Sequence, residues 1–295
     1  MHIRHLPGKA AHIIEESSVP KNHVLLNPSF ASPILYLRGT EHSATAMNNY
    51  AILFDTSTGK QTKIPPPPEF LAPCVNLFRG IEDFRICWHK GTLWFTGTTT
   101  HASDHMTNEL LVGYFSPGLD KIERMCTVDI GSLPVKNVCP FSYEGELMLL
   151  DAYLMQIYQL VDVVDETGIW KKYDSKPWKP LQYAGSLGNE KYRGSTSPVH
   201  LHGNTWGCVV HDIIFNDSVR LVTRLSYLHH WMEFDISTGV ITFVSSPFWV
   251  AHWGVEYVSG LSYNKENGEA TLYMGVNDVS PLMYHTTLHD LRVGK

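Results

Sequence analysis

Several signatures of cofactor and metal enzymes are missing from this sequence. It has no Walker- or Rossmann-type glycine-rich loop, no Gly-x-Ser-x-Gly elbow and no HExxH pattern. Cysteine is scarce. Cys74, Cys87, Cys126, Cys139 and Cys208 are an odd number with no CxxC spacing, which argues against a disulfide framework and a thiolate zinc site. Neither a metal nor a cofactor is expected, and reduced thiols point to the cytoplasm. Residues Met1 to Ser18 carry charges and histidines where a secretory leader would be apolar, so no export signal is expected there. Nor is there an unbroken apolar run. The best stretch, Leu147 to Val164, is interrupted by Asp151, Gln156, Gln159 and Asp162, which a membrane span would not tolerate. Charge is also thin, at 18% of residues with a net of −6, and no basic run stands out. A nucleic-acid or anionic-membrane surface is excluded as the main business.

What the chain has in excess is aromatic and imidazole side chains: 14 Tyr, 12 Phe, 8 Trp and 16 His among 295 residues. This suits a Trp-rich β core or a sugar-binding surface, where flat apolar faces stack on sugar rings and polar groups bond the hydroxyls. Hydrophobic residues make up 43%, enough for a sizeable core.

Short strands rich in aromatic and β-branched residues recur, among them Ala51–Phe54, Phe84–Trp88, Leu93–Thr96 and Ile241–Val244. The Gly- and Pro-free stretch Glu146 to Thr167 reads as two strands with a bend near Tyr153. A hairpin signal repeats at Gly91, Gly145, Gly203 and, more loosely, Gly268, each followed by an apolar strand, with spacings of 54, 58 and 65. An Asp-to-Gly turn repeats at Asp55–Gly59, Asp165–Gly168 and Asp235–Gly239. Repetition at this distance predicts an all-β, five-bladed β-propeller forming one domain over residues 1–295, with 1–24 an extension or a blade-closing segment. The alternative is a β-sandwich with coincidental turns. Pro65 to Pro68 reads as a rigid connector.

Three clusters could carry chemistry. In Arg79-Gly80-Ile81-Glu82-Asp83-Phe84-Arg85-Ile86, strand alternation puts Asp83 and Arg85 on one face and Glu82 and Phe84 on the other. Adjacent carboxylates entering a strand need solvent, a cation or a ligand, so this segment is either a site or a salt-bridged strand start. The second cluster runs from Lys191 to Pro198 and is followed by the strand bearing His211. The third is Trp253 to Gly260 with Tyr273 to Asp278, where Glu256 and Asp278 sit beside small residues.

Taken in order, these segments resemble the five-bladed propellers of glycoside hydrolase family 130 and the related glycosyltransferase family 108, which act mainly on β-mannosides. The resemblance runs through Asn27-Pro28-Ser29 with Arg38 and then the Gly80–Ile86 segment, like the family's Gly-x-Glu-Asp-Pro-Arg-Ile. It continues with Ser195–Val199, the strand ending in His211, and Tyr273–Asp278, and spans about residues 25 to 285. Lys136-Asn137, and Arg38 followed by Asn49-Tyr50, look like a divergent branch found with glycan-building enzymes. Phe84 stands where the family has Pro, and Asp212-Ile213 where it has Gly-Val, departures that bear on the donor region. The resemblance implies that Asp83 is the catalytic acid, or the base in the synthetic direction, and that a hydrolase would need Glu256 to activate water. It further implies substrate binding by Arg38, Asn49, Glu82, Arg85, Lys136, Asn137, Arg193, Ser195, His211, Asn277 and Asp278. Of these, Arg38, Lys136, Arg193 and His211 would form a cation set for phosphate.

Three readings follow. The first is an inverting glycosyltransferase moving a sugar from a nucleotide sugar or sugar phosphate to a glycan acceptor. The second is a β-mannoside phosphorylase or hydrolase, and the third a non-catalytic sugar-binding propeller. The cation set and the lack of an export signal favour the first.

Overall fold

Single strands here bury alternate side chains in two different cores. Along Glu146–Asp151, Leu147 and Leu149 pack with Leu110, Val112 and Tyr158, while Met148 and Leu150 pack with Cys208, Val210 and Met232. Along Thr205–Phe215, Cys208 and Val210 face that second core, and Val209 faces a third with Trp231, Phe248 and Val258. Because neighbouring residues of a strand point to opposite faces, each such sheet is sandwiched between two others. This accounts for near-continuous apolar runs such as Leu147-Met148-Leu149-Leu150.

The computed structural model describes residues 3–13, 21–42, 47–67, 78–99, 109–130, 136–164, 170–183, 192–215, 225–251, 255–277 and 280–293. Their strands form five hydrogen-bonded sheets. In chain order these begin with His23–Ala31, Glu82–His89, Cys139–Tyr143, the pair Arg193–Gly194 and Val199–His202, and Glu256–Tyr263. Each first strand is followed outward by antiparallel neighbours. His23–Ala31 packs against Glu82–His89 on one side and Glu256–Tyr263 on the other, and the intervening sheets pack in succession, closing a circle. The architecture is an all-β propeller.

The circle is fastened by both ends of the described chain. Lys9–His12 is the outermost strand of the last sheet, paired with Leu282–His285, and Arg4–His5 runs parallel to Phe248–Trp249 in the sheet before it. The helix Leu288–Arg292 buries Leu291, and its Arg292 forks onto Glu233 of the preceding sheet at 2.5 and 3.0 Å. No helix among the described residues is long and apolar enough to cross a membrane.

The predicted hairpins fall between first and second strands. Gly91, Gly145, Gly203 and Gly268 have φ of 75°, 77°, 50° and 74°. Lys90 and Glu144 precede two of them at 48°, the doubly left-handed pair of a two-residue hairpin loop. The turns at Asp55 and Asp235 repeat one another: each carboxylate accepts from the hydroxyl two residues on and from the amide of the following Thr, and each Gly amide closes back on the Asp carbonyl. The Asp165–Gly168 turn lies outside the described residues, as do Cys74 and Pro68. The bend near Tyr153 is present, between Glu146–Asp151 and Gln156–Val164.

Candidate functional site

Side chains or backbone from the beginning of every sheet meet in one hydrogen-bonded cluster. Three of the first strands break register nearby, between Leu26 and Ser29, between Glu82 and Arg85, and between Val258 and Gly260. Such bulges re-aim side chains. Asn27 (φ 47°) and Asp83 (φ 53°) occupy left-handed backbone at two of them, a conformation that Asn and Asp tolerate better than most residues.

The bulge overturns the alternation expected for Glu82 and Asp83. Both carboxylates approach Arg38, Asp83 Oδ1 at 2.9 Å from Nη1 and Glu82 Oε1 at 3.8 Å from Nη2. Phe84 enters the core, with ring centroids 4.9 Å from Tyr36 and 4.4 Å from Phe95. Phe84, the departure from the Pro of the proteins this segment resembles, is thus a core packing residue. Asp212, the other departure, is exposed, and its carboxylate accepts from the Ile213 amide.

Asp83 Oδ1 also accepts from Asn27 Nδ2 at 2.6 Å. Burial alone would push the Asp83 carboxyl up, but Arg38, then Arg85, the Asn27 donor and Lys136 outweigh it and hold the pKa at about 2. Asp83 is a carboxylate at neutral pH. Arg38 is oriented in turn by Asn49, fully buried, whose Oδ1 accepts from Arg38 Nε at 3.0 Å and Thr40 Oγ1 at 2.9 Å. Asn49 thus positions a cation.

Arg85 is wholly buried and its guanidinium is spent on the protein. Nε donates to Ser195 O at 2.6 Å, Nη1 to Asp83 O at 3.0 Å and Phe84 O at 3.2 Å, and Nη2 to the Tyr257 hydroxyl. The Tyr257 hydroxyl donates to Asn137 Oδ1 at 2.6 Å, with Asn137 itself left-handed at φ 63°. Ser195 Oγ and His211 Nδ1 are 2.8 Å apart, and the His211 ring meets Tyr257 edge-on. Burial, then His229, Arg193 and Arg85, depress His211 well below the ordinary histidine range. His211 is thereby held toward its neutral form, with a ring nitrogen hydrogen-bonded to Ser195.

Among the described residues predicted for the site, Lys136, whose side chain is 38% exposed with Nζ 3.8 Å from Glu82 Oε2, and the half-buried Arg193, in register opposite His211, are the cations with open surface. Glu256 follows a different course. It is fully buried, accepts from the amides of Val250 and Ala251 (2.9 Å for the latter), and lies 3.7 Å from His229 Nδ1. Its neighbour Tyr257 takes the opposite face of the strand and joins the cluster. Asn277 is an exposed turn residue whose amide bonds Val255 O, and Asp278 lies outside the described residues.

Sequence reasoning thus assigned no role to Asn27 or Tyr257. The signals were there, Asn27 inside Asn-Pro-Ser and Tyr257 inside the Trp253–Gly260 segment, but register was not.

No protein-family model matches the sequence, and no curated protein sequence matches it either. Solved structures do. A GDP-Man-dependent mannosyltransferase from Leishmania mexicana is similar at 14% identity, covering 97% of this chain and 92% of its own, with a TM-score of 0.61. A mannose phosphorylase from Leishmania mexicana, solved in complex with phosphate ion, is similar at 14% identity, 91% and 85% coverage and a TM-score of 0.56. At this identity the likeness establishes the fold.

Proposed function

We propose that this protein is an inverting glycosyltransferase, moving a sugar from a nucleotide sugar or sugar phosphate to a hydroxyl of a glycan acceptor in the cytoplasm. In this reading the five sheets are the five blades of a single-domain ring. The acceptor oxygen attacks the anomeric carbon and its proton passes to Asp83. The bond from that carbon to the phosphate oxygen breaks on the opposite face, and the leaving group departs with the electron pair. Lys136 and Arg193 meet its charge. Arg38, Asn27 and Asn49 hold Asp83 in place, and Glu82 keeps Lys136 near it.

One observation carries the choice. Asp83 is held ionised by two donors while 16% of its side-chain surface stays open. A base must be unprotonated at working pH. Hydrolysis or phosphorolysis would need Asp83 protonated at the leaving oxygen, which the same donors oppose. Hydrolysis needs a second carboxylate on water as well, and Glu256 is committed to backbone amides. Mannosyl donors are the first to test, because a mannosyltransferase and a mannose phosphorylase share the fold.

The test is to incubate the protein with GDP-mannose or mannose 1-phosphate and a mannose or β-mannobiose acceptor, following products by mass spectrometry. Transfer is expected, with Asp83→Asn slower by about a hundred- to ten-thousand-fold and donor binding retained. Phosphate-dependent cleavage of β-mannobiose without transfer from GDP-mannose would establish the phosphorylase instead. Sugar binding without turnover of any of these would leave a binding propeller.

A further inference from the structure

Both donors to Asp83 fall on the same oxygen. Asn27 Nδ2 and Arg38 Nη1 converge on Oδ1, and among the described residues no hydrogen bond reaches Oδ2. The carboxylate is therefore asymmetric, one oxygen saturated and the other open. The two donors come from adjacent strands of the first sheet, across a sheet boundary from Asp83. Arg38 is a charge whose removal would disturb much else. Asn27 is neutral, only 5% exposed, and bonded to Asp83 through its amide nitrogen alone: its Oδ1 has no hydrogen-bond partner among the described residues. Against that oxygen stands Gly275, where an added Cβ would sit 2.8 Å from Asn27 Oδ1 and 3.2 Å from Asn27 N. The absence of a side chain at Gly275 gives Asn27 room to lie in its left-handed bulge and aim its amide nitrogen at Asp83.

We infer that Asn27, seated against Gly275, is a positioning residue that fixes Oδ1 of Asp83 as the anchored oxygen and leaves Oδ2 as the oxygen that exchanges the proton. The last clause rests on Asp83 acting as the base; the anchoring does not. The other titratable groups around Asp83 are Arg38 and Tyr36 from the first sheet, Glu82 and Arg85 on its own strand, Lys136 before the third sheet and Tyr257 from the fifth. A change at Asn27 alters none of them chemically. A donor lost from a carboxylate raises its pKa, since the hydrogen bond favours the charged form.

The test is Asn27→Gly, which keeps the left-handed backbone accessible and removes the donor, read by carboxyl carbon-13 NMR titration of aspartate-labelled protein with Asp83 assigned from Asp83→Asn. The Asp83 midpoint is expected to rise by about one to two pH units. Gly275→Ala, which crowds Asn27 without removing it, is expected to shift the midpoint the same way by less, and it decides the matter if Asn27→Gly fails to fold. A folded Asn27→Gly with an unmoved midpoint overturns the proposal. The acid limb of kcat/KM for mannosyl transfer is expected to move up in pH with the NMR midpoint. A midpoint that moves while the limb stays put overturns the assignment of proton exchange to Asp83 Oδ2. A midpoint that moves in a protein with no transfer activity upholds the anchoring and sinks the transferase reading.

Discussion

Replacing Arg85 by Met separates a strut from a ligand group. Arg85 is 0% exposed, and its donors reach Ser195 O, Asp83 O, Phe84 O and the Tyr257 hydroxyl. Methionine fills much of the volume and leaves those acceptors without their donor. Three carbonyls lose a charged donor, which together costs about 3–5 kcal/mol. Each orphaned buried acceptor alone would cost about 1–3 kcal/mol, but the Tyr257 hydroxyl still bonds Asn137 and Gly194 O, so the sum is not reached. A loss of about 3–5 kcal/mol is a large part of the roughly 5–15 kcal/mol that holds a domain together. In a chain of this size it corresponds to a fall in Tm of roughly 10 °C. Calorimetry with donor binding measured on the same samples is the assay. Lys136→Met is the contrast: with 38% of its side chain exposed and a loose 3.8 Å contact to Glu82, it should change stability by less than about 1 kcal/mol and instead weaken donor binding. An Arg85→Met protein that melts like wild type yet loses the donor would refute the reasoning, because Arg85 would then be reaching for ligand rather than spanning strands.

Two further outcomes are expected. Glu256→Gln offers one oxygen to two backbone amides, so stability should fall by about 1–3 kcal/mol with turnover of the folded protein unchanged; lost turnover at unchanged Tm would revive Glu256 as the base of a hydrolase. The buried histidines set the response to acid. Burial holds His229 at about 3 and His211 well below its ordinary value, so the unfolded chain takes up those protons first. Stability is then complete above about pH 6.5 and falls below it, by about 1.4 kcal/mol per pH unit for each histidine, down to about pH 3 for His229. Tm measured from pH 8 to 5 should show the fall, and His229→Gln should flatten it; a Tm constant over that range would contradict the burial of neutral imidazoles.

The fold was legible where chemistry is local. Gly91 and Gly145 mark loops that need left-handed backbone, and Asp55 and Asp235 mark turns closed by their own carboxylates. A doubly buried middle strand announces itself as an apolar run, as at Leu147–Leu150. The closing of the circle was not legible in this way. Lys-Ala-Ala-His at residues 9–12 has no strand signature of its own and is a strand because Leu282–His285 offers an open edge. The same holds for Arg4–His5, which lies along Phe248–Trp249.

The site was legible by residue type and illegible by register. Period-two alternation separates Glu82 from Asp83, and it fails because Asp83 turns through φ 53° where one extra residue enters the strand as a bulge. That single rotation brings two carboxylates to one guanidinium and sends Phe84 into the core. At the last sheet alternation holds, and there it acts against a choice made by side-chain chemistry. Glu256 is the better catalyst on paper, yet choosing the face that serves the cluster selects Tyr257, and the carboxylate one residue away is turned onto the amides of Val250 and Ala251. A strand permits only one of two neighbours at the centre. The bulge at Asp83 is what lifts that restriction, and it does so beside Arg38, the cation able to hold two adjacent negative charges together.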